Sequence, residues 1–183
     1  MGRRQTIDRE AVLDAAESVV SEHGAVGLTI DAVAKAAGIT KGGVQSCFGN
    51  KESLIEAMLV RWGVRYDHQV ALLKGDSESP VDALKAHLET THSDTGNSTS
   101  RSAVLLSALL QSPDYLGWIK DWYAQRHEEF MSGSEAPDQA RRVAFLATEG
   151  LFFLRYFRLM ELSPEEWERN VAAIERLLDD GKH

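Results

Sequence analysis

The stretch TIDAVAKAAGITKGGVQSCFGNKESL, from Thr29 to Leu54, constrains the fold more than any other part of the chain. Its apolar residues recur at helical spacing, and three side-chain oxygens stand where a helix would begin. Thr29 is placed to cap a short helix that turns Val33, Ala34 and Ala37 inward. Gly38 supplies a residue that tolerates a left-handed turn, Ile39 fills the angle, and Thr40 caps the next short helix. Asn50 is a third cap, with Lys51 and Glu52 in the first turn of a third helix. Two short helices joined by a tight turn and continued at once by another form a helix-turn-helix. The charge pattern agrees with a nucleic-acid face. From Ala32 to Lys51 the segment carries Lys35, Lys41 and Lys51 and no acid, inside a chain of formal net charge −8.

That acidity lies mostly elsewhere. Residues 1–55 hold 6 Lys/Arg and 7 Asp/Glu, while the rest hold 14 and 21. A chain so divided does not coat nucleic acid indiscriminately, and its acidic remainder repels DNA from the wrong surfaces. The single cysteine, Cys47, excludes an internal disulfide and a cysteine-based zinc site. No apolar run approaches the roughly 18–20 residues needed to span a bilayer, and the opening MGRRQT lacks a signal-peptide core. The expectation is a soluble, cytoplasmic protein.

Nearly every other segment has a helical period. A first helix starts near Thr6 or Asp8, buries Val12, Ala16, Val19 and Val20, and ends at His23 and Gly24. A long helix from Asn50 to Leu73 carries Ile55, Met58, Leu59, Trp62, Tyr66 and Val70 on one face. Further helices are expected over Val81–Thr91, Ala103–Leu110, Asp114–Met131, Asp138–Met160 and Pro164–Leu178, the last capped by Ser163. The reading is an all-α chain of about nine helices. Residues 1–50 form a three-helix helix-turn-helix domain, and residues 51–183 form a second helical domain.

Residues 6–58 resemble the DNA-binding head of the tetracycline-repressor (TetR) family of bacterial transcription regulators. Thr29, Ile30, Val33, Ala34, Ala37, Gly38, Ile39, Thr40, Lys41, Gly42, Phe48, Lys51, Glu52 and Leu54 carry the resemblance. It implies a homodimer on a near-palindromic double-stranded DNA operator, a ligand pocket in the helical body, and repression relieved by a small molecule. Carried onto this chain, the DNA-binding residues are Thr29, Thr40, Lys41, Gly42, Gly43, Gln45, Ser46 and Lys51. Thr29, Thr40 and Lys51 match phosphate anchors, Lys41 a guanine edge or a phosphate, and Gly42 and Gly43 permit close approach to the groove. Val44 and Phe48 point inward. The family usually has an aromatic where this chain has Gln45, which is suited to a bidentate pair with adenine worth about 1–3 kcal/mol of discrimination. Arg3 and Arg4 are candidates for a minor-groove arm.

Aromatic residues on the body helices, with one histidine, make the candidate pocket: Trp62, Tyr66, His87, Tyr115, Trp118 and Trp122. The last two helices are apolar on more than one side. That favours a subunit interface made by Phe145, Glu149, Phe152, Phe153, Tyr156, Trp167, Ile174 and Leu177. The six histidines show no metal-ligand spacing, and there is no phosphate-binding glycine loop or nucleophile elbow, so neither enzyme, metal nor cofactor is expected. The competing class is a helical adaptor of the same fold that works through protein partners without responding to a ligand.

Overall fold

The computed structural model describes residues 7–93, 116–132, 139–157 and 159–180. Among these there are eight helices and no strands: α1 (Arg9–Gly27), α2 (Ile30–Ala36), α3 (Lys41–Phe48), α4 (Lys51–Lys74), α5 (Pro80–Ser93), α6 (Gly117–Met131), α7 (Gln139–Tyr156) and α8 (Pro164–Asp180). The helix expected over residues 103–110 lies outside the described residues. No helix among the described residues is long and apolar enough to cross a membrane.

Local chemistry sets the helix ends. Asp8 accepts from the amides of Glu10 and Ala11, Thr29 from Ala32, Thr40 from Gly43 and Asn50 from Ser53. Each satisfies an amide that the first turn leaves open. At α8, Ser163 accepts from the Glu166 amide while the Glu166 carboxylate takes the Ser163 amide, a reciprocal capping box. The turn after α2 is a Schellman motif. Gly38 sits at φ +66, the Ile39 amide reaches Ala34 O at 3.0 Å, and the Gly38 amide reaches Lys35 O at 3.3 Å. Gly24, at φ 67 and ψ −177, interrupts α1 where the sequence indicates a stop. One end differs from expectation: α7 finishes at Tyr156, short of Met160, which lies in a bend.

The described residues form two compact units. The first, here called the head, runs to Trp62 and includes Leu116–Trp118; the second, the body, takes Gly63–Ser93 and the residues from Ile119 onward. In the head, Val12, Leu13, Ala16 and Val20 of α1 pack with Val33 of α2, Val44 and Phe48 of α3, and Leu54, Ile55 and Met58 of α4. Each fully buried side chain of this size contributes about 1.5–3 kcal/mol. Arg61 of α4 braces this core from outside. Its guanidinium reaches Asp14 at 2.7 Å, Glu17 at 2.6 Å and Glu10 at 3.3 Å, all on one face of α1. Burial opposes the charged form, but Glu17 first, then Asp14 and Glu10, hold the Arg61 pKa above its ordinary value.

In the body, Leu84 and Leu88 of α5, Phe130 of α6, Ala144 and Phe145 of α7, and Trp167, Val171, Ile174 and Leu178 of α8 make one core. Buried Arg141 donates to the carbonyls of Phe130 and Ser132 at 3.1 and 2.9 Å, placing a cation on the last carbonyls of α6.

Candidate nucleic-acid interface and effector site

Helix α3 alternates by pairs. Gly43, Val44 and Phe48 are buried and Cys47 is half-buried, while Lys41, Gly42, Gln45 and Ser46 are exposed. The spacing i, i+1, i+4, i+5 puts the four exposed residues in one stripe. Thr29 and Thr40 are exposed beside the helix starts they cap, and Lys51, half-buried, opens α4. Both ends of α3 are fixed from within the head. Thr40 closes the first turn, and Arg9 of α1 donates to Cys47 O at 2.8 Å while its guanidinium stands 4.3 Å from the Phe48 ring centroid. A cation on the last carbonyls of a helix is favourable. Arg9 was not among the expected residues, because its partner is 38 positions away.

Two expectations for this surface need correction. Gly43 is buried, and a Cβ there would meet Ile7 Cδ1 at 2.9 Å and Ile39 Cδ1 at 3.4 Å. Its missing side chain makes room for the head's own isoleucines; Gly42, with nothing nearer than Thr40 Oγ1 at 4.0 Å, is the glycine on the open side. The surface is also less purely basic than the window from Ala32 to Lys51 implies. Asp31, one residue before that window, sits in the first turn of α2 and pairs with Lys41 at 2.8 Å. Arg3 and Arg4 lie outside the described residues.

The body holds a polar network at its centre. Tyr66 of α4, buried, meets His87 Nδ1 at 2.9 Å, Thr91 Oγ1 at 2.7 Å and His87 O at 3.0 Å. On the far side of the imidazole, Nε2 lies 2.8 Å from Glu149 Oε1, and Tyr123 donates to Glu149 Oε2 at 2.7 Å. If Nε2 carries the proton toward the carboxylate, Nδ1 is left to accept from the Tyr66 hydroxyl. Around His87 stand the rings of Phe130, Tyr66, Phe145 and Trp122, with centroids 5.2 to 6.5 Å away. Burial, then the charge of Glu149, raises the Tyr123 pKa far above that of a free phenol; burial does the same for Tyr66. Both phenols are therefore neutral donors.

Of the expected pocket residues, Tyr66, His87 and Trp122 come together in this network. Trp118 does not: it packs, half-buried, against the head's core. Trp62 is half-buried in the last turn of α4 assigned to the head, and Tyr115 lies outside the described residues. Trp122 donates its indole N–H to Asp67 at 3.1 Å, and the guanidinium of Arg126 pairs with the same carboxylate while lying 3.5 Å from the indole centroid. A cleft of about 350 Å³ opens beside this pair, lined by Asp67, Val70, Ala71, Lys74, Arg126 and Glu129. Asp67, Arg126 and Lys74 were not foreseen as site residues, since charge pairs spanning 55 or more positions leave no mark in a local pattern.

The expected subunit interface is corrected in part. Phe145, Tyr156, Trp167 and Ile174 are each less than 10% exposed, covered by their own chain. Trp167 is held by its indole N–H on His92 Nδ1 at 2.9 Å and by Arg155, 4.1 Å from its centroid. Glu149 is committed to His87 and Tyr123. Phe152, Phe153 and Leu177 remain half-buried, and the apolar residues left open on α7 are Val143 and Leu146, 47% and 68% exposed. Two apolar stripes on one helix do not reveal which of them the chain itself covers.

A helix-turn-helix head with one stripe of its third helix presented to solvent, carried on a long helix that continues into an all-helical body, defines the class of helix-turn-helix regulators with a separate helical domain. Residues 12–58 match the family profile "Bacterial regulatory proteins, tetR family", and residues 81–179 match "Tetracyclin repressor-like, C-terminal domain". The chain belongs to the TetR family of transcriptional regulators. Among curated proteins none matches the sequence. A TetR transcription regulator from Haloarcula marismortui shares the fold at a TM-score of 0.76 and 14% identity, over 94% of this chain and 96% of that one. The multidrug binding protein EbrR, complexed with ethidium, gives 0.71 and 19%, over 96% and 99%. SmeT, the repressor of the Stenotrophomonas maltophilia multidrug efflux pump SmeDEF, gives 0.65 and 20%, over 94% and 88%. At these identities the likeness is one of fold.

Proposed function

We propose that the chain is a homodimeric repressor that binds a near-palindromic operator in the cytoplasm and leaves it when a small apolar or amphipathic molecule enters the body. On this reading it is a binding protein and has no catalytic role. Residues 1–50 bind DNA and residues 51–183 bind effector and partner. The observation that carries the DNA reading is the stripe of Lys41, Gly42, Gln45 and Ser46, exposed on one side of α3 while Gly43, Val44 and Phe48 anchor the other. Thr29, Thr40 and Lys51 supply phosphate contacts, and Gln45 reads a base edge.

Support for an effector comes from the aromatic centre around His87 and from EbrR, solved with ethidium and with imidazole. The dimer reading rests on the open apolar residues Val143 and Leu146, with Phe153 and Leu177 half-buried on α7 and α8. Dimerisation places two α3 helices on two half-sites. Effector and operator oppose each other by the same factor in either order of binding.

The test is a salt series on the full chain with its own promoter DNA. A reader loses affinity steeply with salt while keeping sequence preference, and Gln45→Ala relaxes preference at one base position. An adaptor without DNA function shows no preference at any salt.

A further inference from the structure

We infer that Asp31 sets the DNA specificity of this protein by restraining Lys41, lowering affinity for duplexes that offer only phosphates more than for those that offer a base edge. The inference rests on the DNA-binding reading above. Asp31 Oδ2 lies 2.8 Å from Lys41 Nζ, and the two side chains are 70% and 55% exposed. A pair this open to water adds little to folding. Nor is Asp31 needed to cap α2, because Thr29 does that. What the pair does is hold the one cation of the exposed α3 stripe against an anion.

The difference between duplexes lies in whether Lys41 has to leave Asp31 to make its contact. On an arbitrary duplex it exchanges one carboxylate for one phosphate oxygen, an even trade, and Asp31 is left unpartnered within a few ångströms of a dense negative array. On a duplex with guanine at the right position, Lys41 donates one N–H to O6 or N7 and keeps another on Asp31, so the pair survives and Asp31 stays partnered. Asp31 therefore penalises both complexes, but the non-specific one more.

The probes are the duplex that the wild-type chain enriches most from a random library and a scrambled duplex of the same composition, each titrated by fluorescence anisotropy over a range of salt. Asp31→Asn is expected to tighten the scrambled duplex about tenfold at low salt and the selected one by less than about threefold, so that the ratio between them falls. The log–log salt slope on scrambled DNA should steepen by about one, because the Asp31 carboxylate no longer offsets the charge that Lys41 sets on a phosphate. In a Lys41→Gln background the effect on the ratio should vanish, and Glu22→Gln, an equal charge change on α1, should leave the ratio alone. Equal tightening on both duplexes, an unchanged ratio, or an effect that survives Lys41→Gln overturns the inference while the DNA reading stands. A wild-type chain with no sequence preference overturns both.

Discussion

In the head, Val12, Leu13, Val33, Val44, Leu54, Ile55 and Met58 meet with no buried polar side chain among the described residues. In the body, His87, Thr90, Thr91, Arg126, Arg141 and Thr148 are buried beside Leu84, Phe130 and Phe145. The head's core is specified by volume and shape, which suits a unit that has to present one fixed stripe of α3. The body's core is specified by matched donors and acceptors, which hold one arrangement while every partner is present and make the loss of any one of them costly. On the proposed function, a difference of this kind falls between the part that reads DNA and the part that receives the effector.

The largest expected effect is on the body. His87→Ala empties the space of a fully buried ring and takes one hydrogen bond each from Glu149 and the Tyr66 hydroxyl, and it should cost about 3–5 kcal/mol in chemical denaturation of the full chain. A loss below about 1 kcal/mol, the size of a single ordinary hydrogen bond, would break the comparison, because the network would then be incidental. In the head, Leu54→Ala, at a position 0% exposed, should cost about 3 kcal/mol through lost burial and the cavity left behind. That loss should be the same across the neutral range, since none of the fully buried residues of this core carries an acid or a base.

Alkaline pH sharpens the contrast further. Tyr66 and Tyr123 have pKa values raised by folding, so their contribution is complete below the unfolded value of about 10 and is lost as pH rises above it. Melting curves between neutral and strongly alkaline pH should therefore show the body weakening. Tyr66→Phe should flatten that decline at a neutral-pH cost of about 1 kcal/mol. Smallest in stability is Gly42→Ala, which meets no neighbour and should raise stability by up to about 1 kcal/mol. The same change should weaken operator binding, so thermal melts and anisotropy would move in opposite directions. If both improved, Gly42 would not face the groove.

How much of this was legible varies with the range of the interaction. Caps were readable because the cap and its amides lie within three residues: Thr29, Thr40, Asn50 and Ser163 act where the pattern places them, and Asp8 is one of the two starts it allows for α1. So was the inward side of α3, whose short period leaves one solution. Hidden from the sequence were the choices between two equally apolar faces, which sent Phe145 and Trp167 into the body's own core and Trp118 to the head. Hidden too were pairings such as Arg9 with Cys47 and Arg126 with Asp67, because nothing local tells a charge which distant partner the fold brings to it.

The brace on α1 carries a consequence for how the sequence can drift. Glu10, Asp14 and Glu17 share the single guanidinium of Arg61, so any one of the acids can be exchanged while the other two keep it neutralised. The reverse exchange leaves three like charges stacked on one helix face with nothing between them. Lysine at that position would bring one point of charge where three carboxylates are gathered by a planar fork. Among relatives that keep this brace, position 61 should stay arginine while positions 10, 14 and 17 wander, and a library randomised at all four should return that same asymmetry.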